Sequence, residues 1–199
     1  MINNTKKHKD PRILRTRLLI KEAFVDLLQE MDIEKMSVSR IAERATISRV
    51  TFYLHYRDIP DMLEKIADGM IEDFQGVINS QPVNESSTED MDWLMLERLL
   101  EHIAKHATFY RVTLGSRKTP IFTERLFNML MELITERLED LESDNNFYKA
   151  GIQKDIAIWY TSSALMGTIV SWLRNEMPYT PHFLAKQFYL LVHNEDKNY

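Results

Sequence analysis

Apolar residues recur along this chain at helical spacing, and no stretch alternates as a strand would. From Pro11 to Glu30, Leu14, Leu18, Leu19, Ala23, Phe24, Leu27 and Leu28 fall on one face of a single long helix. Between 37 and 57 the pattern shortens. Ile41, Ala42 and Ala45 give one short helix an apolar side, Ala45-Thr46-Ile47 make a turn, and Val50, Phe52 and Tyr53 divide a second short helix between core and surface. Ser37 and Ser48 stand where the two helices take their N-caps. Ala42 and Ala45 are small enough for the helices to approach closely, and Ile47 is placed to plug the angle between them. Phe52 and Tyr56 are expected in the core.

Asp58-Ile59-Pro60-Asp61 opens the next helix, with Asp58 as cap, Pro60 in the first turn and Asp61 at the positive end of the helix dipole. Met62, Leu63, Ile66, Met70, Ile71 and Phe74 carry it to Ile78. Asn79 to Asp90 is polar and reads as the longest loop. Helices are then predicted over 90–106, 107–115, 120–142, 149–174 and 181–193, with breaks at Gly115–Thr119, Ser143–Asn146 and Met177–Pro181. The expected fold is all-α, with a three-helix domain, residues 1–57, before a larger helical domain, 58–199.

Ile156 to Leu173 runs without a charge and sits at the lower length limit for a membrane span. Thr161, Ser162, Ser163, Thr168 and Ser171 make it a poor one. A helix buried all round, part in its own core and part against a second copy, fits better. The small residues Ser163, Gly167 and Ser171 form a stripe that permits close packing. With Ile156 and Val170, and with Phe183, Phe188 and Leu191 of the last helix, they are the expected surface of a homodimer.

Composition agrees with helix: 5 Gly and 6 Pro in 199 residues. Without cysteine, disulfides and thiolate zinc sites are excluded. No apolar stretch follows the basic residues at the N-terminus, so no secretory signal is expected there, and the protein is expected in the cytoplasm. The formal charge is -5, but it is unevenly spread: residues 1–57 hold twelve Lys/Arg against seven Asp/Glu, and 58–199 hold thirteen against twenty-three. A basic head on an acidic body suits a chain that grips phosphates with one end.

The paired short helices and the basic head point to double-stranded DNA, read by the second helix of a helix-turn-helix in the major groove. Arg49 is placed to donate two bonds to a guanine, and Val50 and Thr51 to touch a thymine methyl. Ser37, Ser39 and Arg40 stand at a helix start, where backbone amides favour phosphate. Lys6, Lys7, Lys9 and Arg12 would add non-specific attraction.

Thr16-Arg17, Ala23-Phe24, Ile41-Ala42-Glu43-Arg44-Ala45, Ile47-Ser48, Thr51-Phe52-Tyr53, His55-Tyr56 and Leu63 together resemble the tetracycline-repressor (TetR) family of bacterial transcription regulators. Phe109-Tyr110-Arg111, Gly167, Trp172-Leu173 and Tyr179-Thr180-Pro181 look similar to a C-terminal type in a subgroup that includes the dihydroxyacetone-pathway activator. The resemblance implies DNA binding by residues 1–57, dimerisation and effector binding by 58–199, a homodimer on a palindromic operator, a small-molecule effector, and repression as the usual outcome. The alternative is an activator or DNA-bound interaction protein whose C-terminal domain binds a protein partner instead of a small molecule. It adds Tyr53, His55 and Ser48 to the DNA-binding set. Three positions depart from the family pattern. Thr46 stands where a residue free to turn left-handed is usual, Asp32 replaces a Gly, and Ile59 replaces a phosphate-binding Lys whose part falls to Arg57.

His102 and His106, four apart, have the spacing of metal ligands, but structural histidines explain them as well, and no metal or other cofactor is expected. They join Trp93, Phe109, Tyr110, Phe127, Trp159 and Tyr160 as the candidate lining of an effector pocket, though a plain core would place the aromatics at the same spacings. Phe122 belongs to the same aromatic series. No Gly-rich phosphate loop, His-Glu-x-x-His motif or activated nucleophile is visible, so no catalytic residue is named and the chain is not expected to be an enzyme.

Overall fold

The computed structural model describes residues 10–79, 88–115, 119–140 and 151–193. Over these the chain is all-α, with nine α-helices, one short 3-10 turn and no strand. It divides into two compact units, the first ending at Ile66 and the second starting at Ala67. Lys6, Lys7 and Lys9 lie outside the described residues.

In the first unit, α1 spans Pro11–Glu30. The Asp10 carboxylate accepts the Arg12 N–H at 2.9 Å, and Pro11 brings a helical φ to the first turn. Ile20, Ala23, Phe24, Val25, Leu27 and Leu28 are buried. Leu14 and Leu18, expected on the same face, are instead exposed. The helices that cover α1 are short: α2 (Val38–Arg44) and α3 (Arg49–His55) have seven residues each. Each extends about 10 Å against about 30 Å for α1, so the apolar stripe outruns its cover.

The chain leaves α1 in extended conformation, Met31 at φ -147° and Asp32 at φ -74°. No left-handed residue is needed there, which is why Asp32 serves where the family pattern has Gly. The turn after α2 is the opposite case. Ile47 N–H reaches Ala42 C=O at 2.9 Å and Thr46 N–H reaches Glu43 C=O at 3.0 Å, closing a Schellman motif with Thr46 left-handed at φ 56°. The geometry requires that φ whatever residue stands there, and a β-branched residue bears the strain. Ile41, Ala42, Ala45, Phe52 and Tyr56 complete the core of this unit. The next helix, α4, runs Ile59–Ile78.

The second unit holds α5 (Thr88–Lys105), α6 (Ala107–Leu114), α7 (Pro120–Asp140), α8 (Lys154–Arg174) and α9 (Pro181–His193). Helix α9 packs on α5 and α8 on α7, while α6 touches α5, α7 and α8. Leu100, Ile103, Tyr110, Phe122, Leu126, Ile169 and Leu173 form the centre of the core. Helix α8 starts later than the expected residue 149. Gly151 is left-handed at φ 73°, which no helix accommodates, and residues 141–150, with the expected break at Ser143–Asn146, lie outside the described set. Most of the loop expected at Asn79–Asp90 also lies outside it.

Helix α8 is long and apolar enough to cross a membrane by length and composition. Its packing is that of a core helix: Ala157, Ile158, Ser162, Leu165, Met166, Ile169, Trp172 and Leu173 are buried. It is not buried all round, however. Ile156, Trp159 and Tyr160 stay exposed, as do Ser163, Gly167 and Ser171. A second Schellman motif ends it, with Glu176 N–H on Leu173 C=O and Met177 N–H on Trp172 C=O, and both residues take positive φ.

Candidate nucleic-acid interface

Helix α3 is fixed at its N-terminus by Ser48. The Ser48 Oγ accepts the Thr51 N–H at 3.0 Å and lies 2.9 Å from the Thr51 hydroxyl. Phe52, fully buried, anchors the inner side, and Tyr56 packs beside it. With these fixed, the outer side has no freedom to turn inward. It presents Arg49, Val50, Tyr53 and Leu54, with Leu54 78 % exposed and Val50 70 % exposed. Isolated apolar side chains are common on surfaces, but a continuous exposed apolar face on a capped, anchored helix marks a contact surface. Leu54 was not among the residues singled out from sequence. Its spacing of four from Val50 was the available signal.

Around this face the polar groups divide by partner. Ser37 caps α2, accepting the Arg40 N–H at 3.4 Å, and Ser39 and Arg40 are exposed at that helix start. Arg44 is engaged within the unit by Glu30 at 2.7 Å and Asp26 at 3.9 Å. The corner between α3 and α4 is organised by Asp61. Its carboxylate accepts the Arg57 backbone N–H at 2.9 Å, pairs with the Arg57 guanidinium at 3.2 Å and with Lys65 Nζ at 2.9 Å, while its own N–H donates to Asp58 at 2.8 Å. The bonds from Lys65 and from the Arg57 backbone hold this carboxyl down to about 2. Arg57 remains largely exposed, so the pairing aims its guanidinium without hiding it. Lys65 also donates to the His55 carbonyl at 3.2 Å and lies 5.5 Å from the centre of the Tyr56 ring. Neither Asp61 nor Lys65 was singled out as an interface organiser from sequence, where only the cap pattern of α4 was visible.

His55 is half-buried at the end of α3. Burial first, and the Arg17 charge second, lower its pKa and so favour the neutral imidazole. Burial raises the Tyr56 phenol, with Arg17 opposing that effect.

Of the candidate pocket residues in the second unit, His102, His106, Phe109 and Tyr110 come together in a chain of ring contacts. Phe109 and Tyr110 are buried, Phe127 is half-buried, and Trp159 and Tyr160 are exposed on α8 at 54 % and 69 %. The Trp93 side chain lies outside the described residues. His102 is half-buried and bonds through Nε2 to the Tyr110 hydroxyl at 2.9 Å, with the exposed His106 ring beside it at 4.8 Å. Burial of Tyr110 drives its phenol far up. Among the described residues no group of three or more His, Asp or Glu is positioned to hold a metal. A depression of about 810 Å³ opens elsewhere, between α8 and the α8–α9 turn. Ser163, Gly167, Ser171, Trp172, Tyr179 and Leu184 are among its walls, and none of the seven candidates whose side chains are described is. Trp172 Nε1 donates to the Tyr179 carbonyl at 2.9 Å and pins that turn. Of the expected dimer residues, Ile156, Ser163, Gly167, Phe183 and Leu191 are exposed, and Val170 and Phe188 are half-buried.

A capped helix pair with an exposed reading face, on an all-helical body, defines a helix-turn-helix transcription regulator. The chain matches the family of bacterial regulatory proteins, tetR family, over residues 20–66, and the transcriptional regulator C-terminal region over 91–194. It belongs to the TetR family of transcriptional regulators, a family of DNA-binding proteins rather than enzymes. It is 26% identical over 151 residues to the dhaKLM operon transcriptional activator DhaS of Lactococcus lactis, covering 75% of each chain. It is 24% identical over 180 residues to YxbF, an uncharacterized HTH-type regulator of Bacillus subtilis, covering 87% of this chain and 43% of that one. The chain thus spans less than half the length of YxbF. Its fold is similar to that of the fatty acid degradation regulator FadR from Bacillus halodurans, with a TM-score of 0.74 and 18% identity over 97% of this chain and 100% of that one.

Proposed function

We propose that this protein is a cytoplasmic homodimeric repressor that reads a palindromic operator with α3 and is released by a small effector. The observation that carries the DNA reading is the exposed face of Arg49, Val50, Tyr53 and Leu54 on a helix fixed by Ser48 and Phe52. Arg49 and Val50 read bases. Thr51, Tyr53 and His55 extend the contact, and Ser37, Ser39, Arg40 and Arg57 position the backbone. The dimer uses the exposed faces of α8 and α9, and its two-fold axis supplies the symmetry of the operator. Recognition helices about 34 Å apart occupy successive major grooves. An effector that binds better to a state with another spacing releases the DNA.

One observation favours a second reading. The depression at α8 is open-sided, and its walls mix hydroxyls with Trp172 and Tyr179. Such a surface suits a side chain brought by a protein partner, as an activator would need.

The test of the DNA reading is retention of duplexes by the full chain, followed by Arg49→Ala. A base-reading Arg49 loses about 1–3 kcal/mol on the selected duplex and far less on random sequence. Equal loss on both makes Arg49 a phosphate anchor, and no loss removes it from the interface.

A further inference from the structure

The exposed side of α8 changes in bulk along its length. Its N-terminal half carries Ile156, Trp159 and Tyr160, and its C-terminal half Ser163, Gly167 and Ser171. Ile156, Tyr160, Ser163 and Gly167 recur at intervals of four, three and four, so they form one stripe. Beside the small half lies the depression of about 810 Å³. Its walls are fixed. Trp172 is buried and bonded to the Tyr179 carbonyl, and the Schellman motif at Glu176 and Met177 sets the turn. An added Cβ at Gly167 would meet no atom within 4 Å. Each subunit thus carries an exposed aromatic ring and, about two turns further along the same stripe, an unfilled hollow. The ends of α8 differ in charge as well, with exposed Asp155 in its first turn and exposed Arg174 in its last.

A two-fold axis brings residue i of one copy to residue j of the other, and j to i. If α8 met its counterpart in parallel, Tyr160 would face Tyr160, Gly167 would face Gly167, and Asp155 would face Asp155. Bulk would crowd bulk, hollow would face hollow, and like charges would meet. Antiparallel, with the crossing near Ser163, bulk meets hollow and Asp155 approaches Arg174 at both ends. We propose that the Tyr160 ring of each copy fills the depression of the other, with the two α8 helices antiparallel. The inference rests on the homodimer reading above and gives that dimer its register and the depression its occupant. A phenol suits these walls. Its ring covers apolar area against Trp172 and Leu184, and its hydroxyl finds a partner in Thr168 or Ser171.

The chain has no cysteine, so introduced thiols report contacts without interference. The experiment oxidises four variants of the full chain: Tyr160→Cys, Gly167→Cys, and Tyr160→Cys combined with Gly167→Cys or with Ser171→Cys. Within one α8 the paired positions lie about 10 and 16 Å apart along the axis, too far for an internal disulfide. At least one double variant is expected to run mostly as a covalent dimer that reductant returns to monomer, while both single variants stay monomeric on the same gel. Cross-linking by Tyr160→Cys alone would overturn the proposal in favour of the parallel register. Sedimentation of wild type as a dimer, with neither double variant cross-linking, would overturn it too and leave the depression to a small molecule or another protein. Sedimentation of wild type as a monomer at micromolar concentration would overturn the homodimer reading itself, and this inference with it.

Discussion

Helices α3 and α8 both expose apolar side chains, and what surrounds them differs. On α3, Val50, Tyr53 and Leu54 share a short helix with Arg49, start from the Ser48 cap and are followed directly by the exposed Arg57. On α8, Ile156, Trp159 and Tyr160 belong to eighteen residues without a charge, and the face continues into the small residues Ser163, Gly167 and Ser171. An apolar face edged by cations is complementary to a groove whose walls are phosphate and whose floor carries methyls. One edged by nothing charged is complementary to another apolar face. Exposure of hydrophobic groups alone does not distinguish the two. The charge at the margin does.

The strongest way to break this comparison is Gly167→Leu. Within the subunit a Cβ at Gly167 meets no other atom within 4 Å, so the position has room for a side chain and the helix gains about 0.8–1 kcal/mol in propensity. Against a second copy it overpacks. At about 1–3 kcal/mol for each copy, the dimer dissociation constant should rise by about thirtyfold or more. Analytical ultracentrifugation checks it. An unchanged dimer with the variant present would show that this face of α8 does not meet a second copy.

The margin of α3 is tested through Asp61. A carboxyl held at about 2 in the folded state and near 4 when unfolded adds stability that is complete above about pH 4 and is lost as pH falls through 2. Asp61→Asn removes the linkage. Wild type should therefore exceed the variant in thermal stability at pH 7, and the gap should close between about pH 4 and 2. A gap constant down to pH 2 would assign the loss to packing instead of charge. The smallest expected effect lies in the turn that sets α3 in place. Thr46→Gly relieves a left-handed β-branched residue at φ 56° but adds freedom to the unfolded chain, for a net gain of about 0.5–1 kcal/mol. Chemical denaturation of the full chain measures it. A loss of stability would mean that the Thr46 side chain makes a contact worth more than the strain.

Much of this was legible in the sequence because it is local. The ends of α1 follow from Asp10, Pro11 and the last apolar residues. The start of α4 follows from Asp58, and the left-handed Thr46 was expected from the family resemblance. What was not legible depends on residues far apart. Leu14 and Leu18 continue the α1 stripe in perfect register, and only the short span of α2 and α3 leaves them uncovered. Trp159 and Tyr160 have the composition of core, and composition does not say whether the core is the subunit's own. The lining expected for an effector pocket rested on aromatic spacing, which places Phe109 and Tyr110 in the interior but does not say that Trp159 and Tyr160 stand on the exposed side of α8.

The bond between the Ser48 and Thr51 hydroxyls has a consequence for how much the reading head can distinguish. The Thr51 hydroxyl is turned toward Ser48, whose oxygen also accepts the Thr51 N–H, before any DNA arrives. In the proposed complex Thr51 therefore presents a methyl group, and its vocabulary at a base pair is the presence or absence of one carbon. Thymine and 5-methylcytosine spell the same letter to such a residue, whereas cytosine and uracil are blanks. The polar discrimination then rests on Arg49, so a single position carries the hydrogen-bonded part of the message and its neighbours only shape.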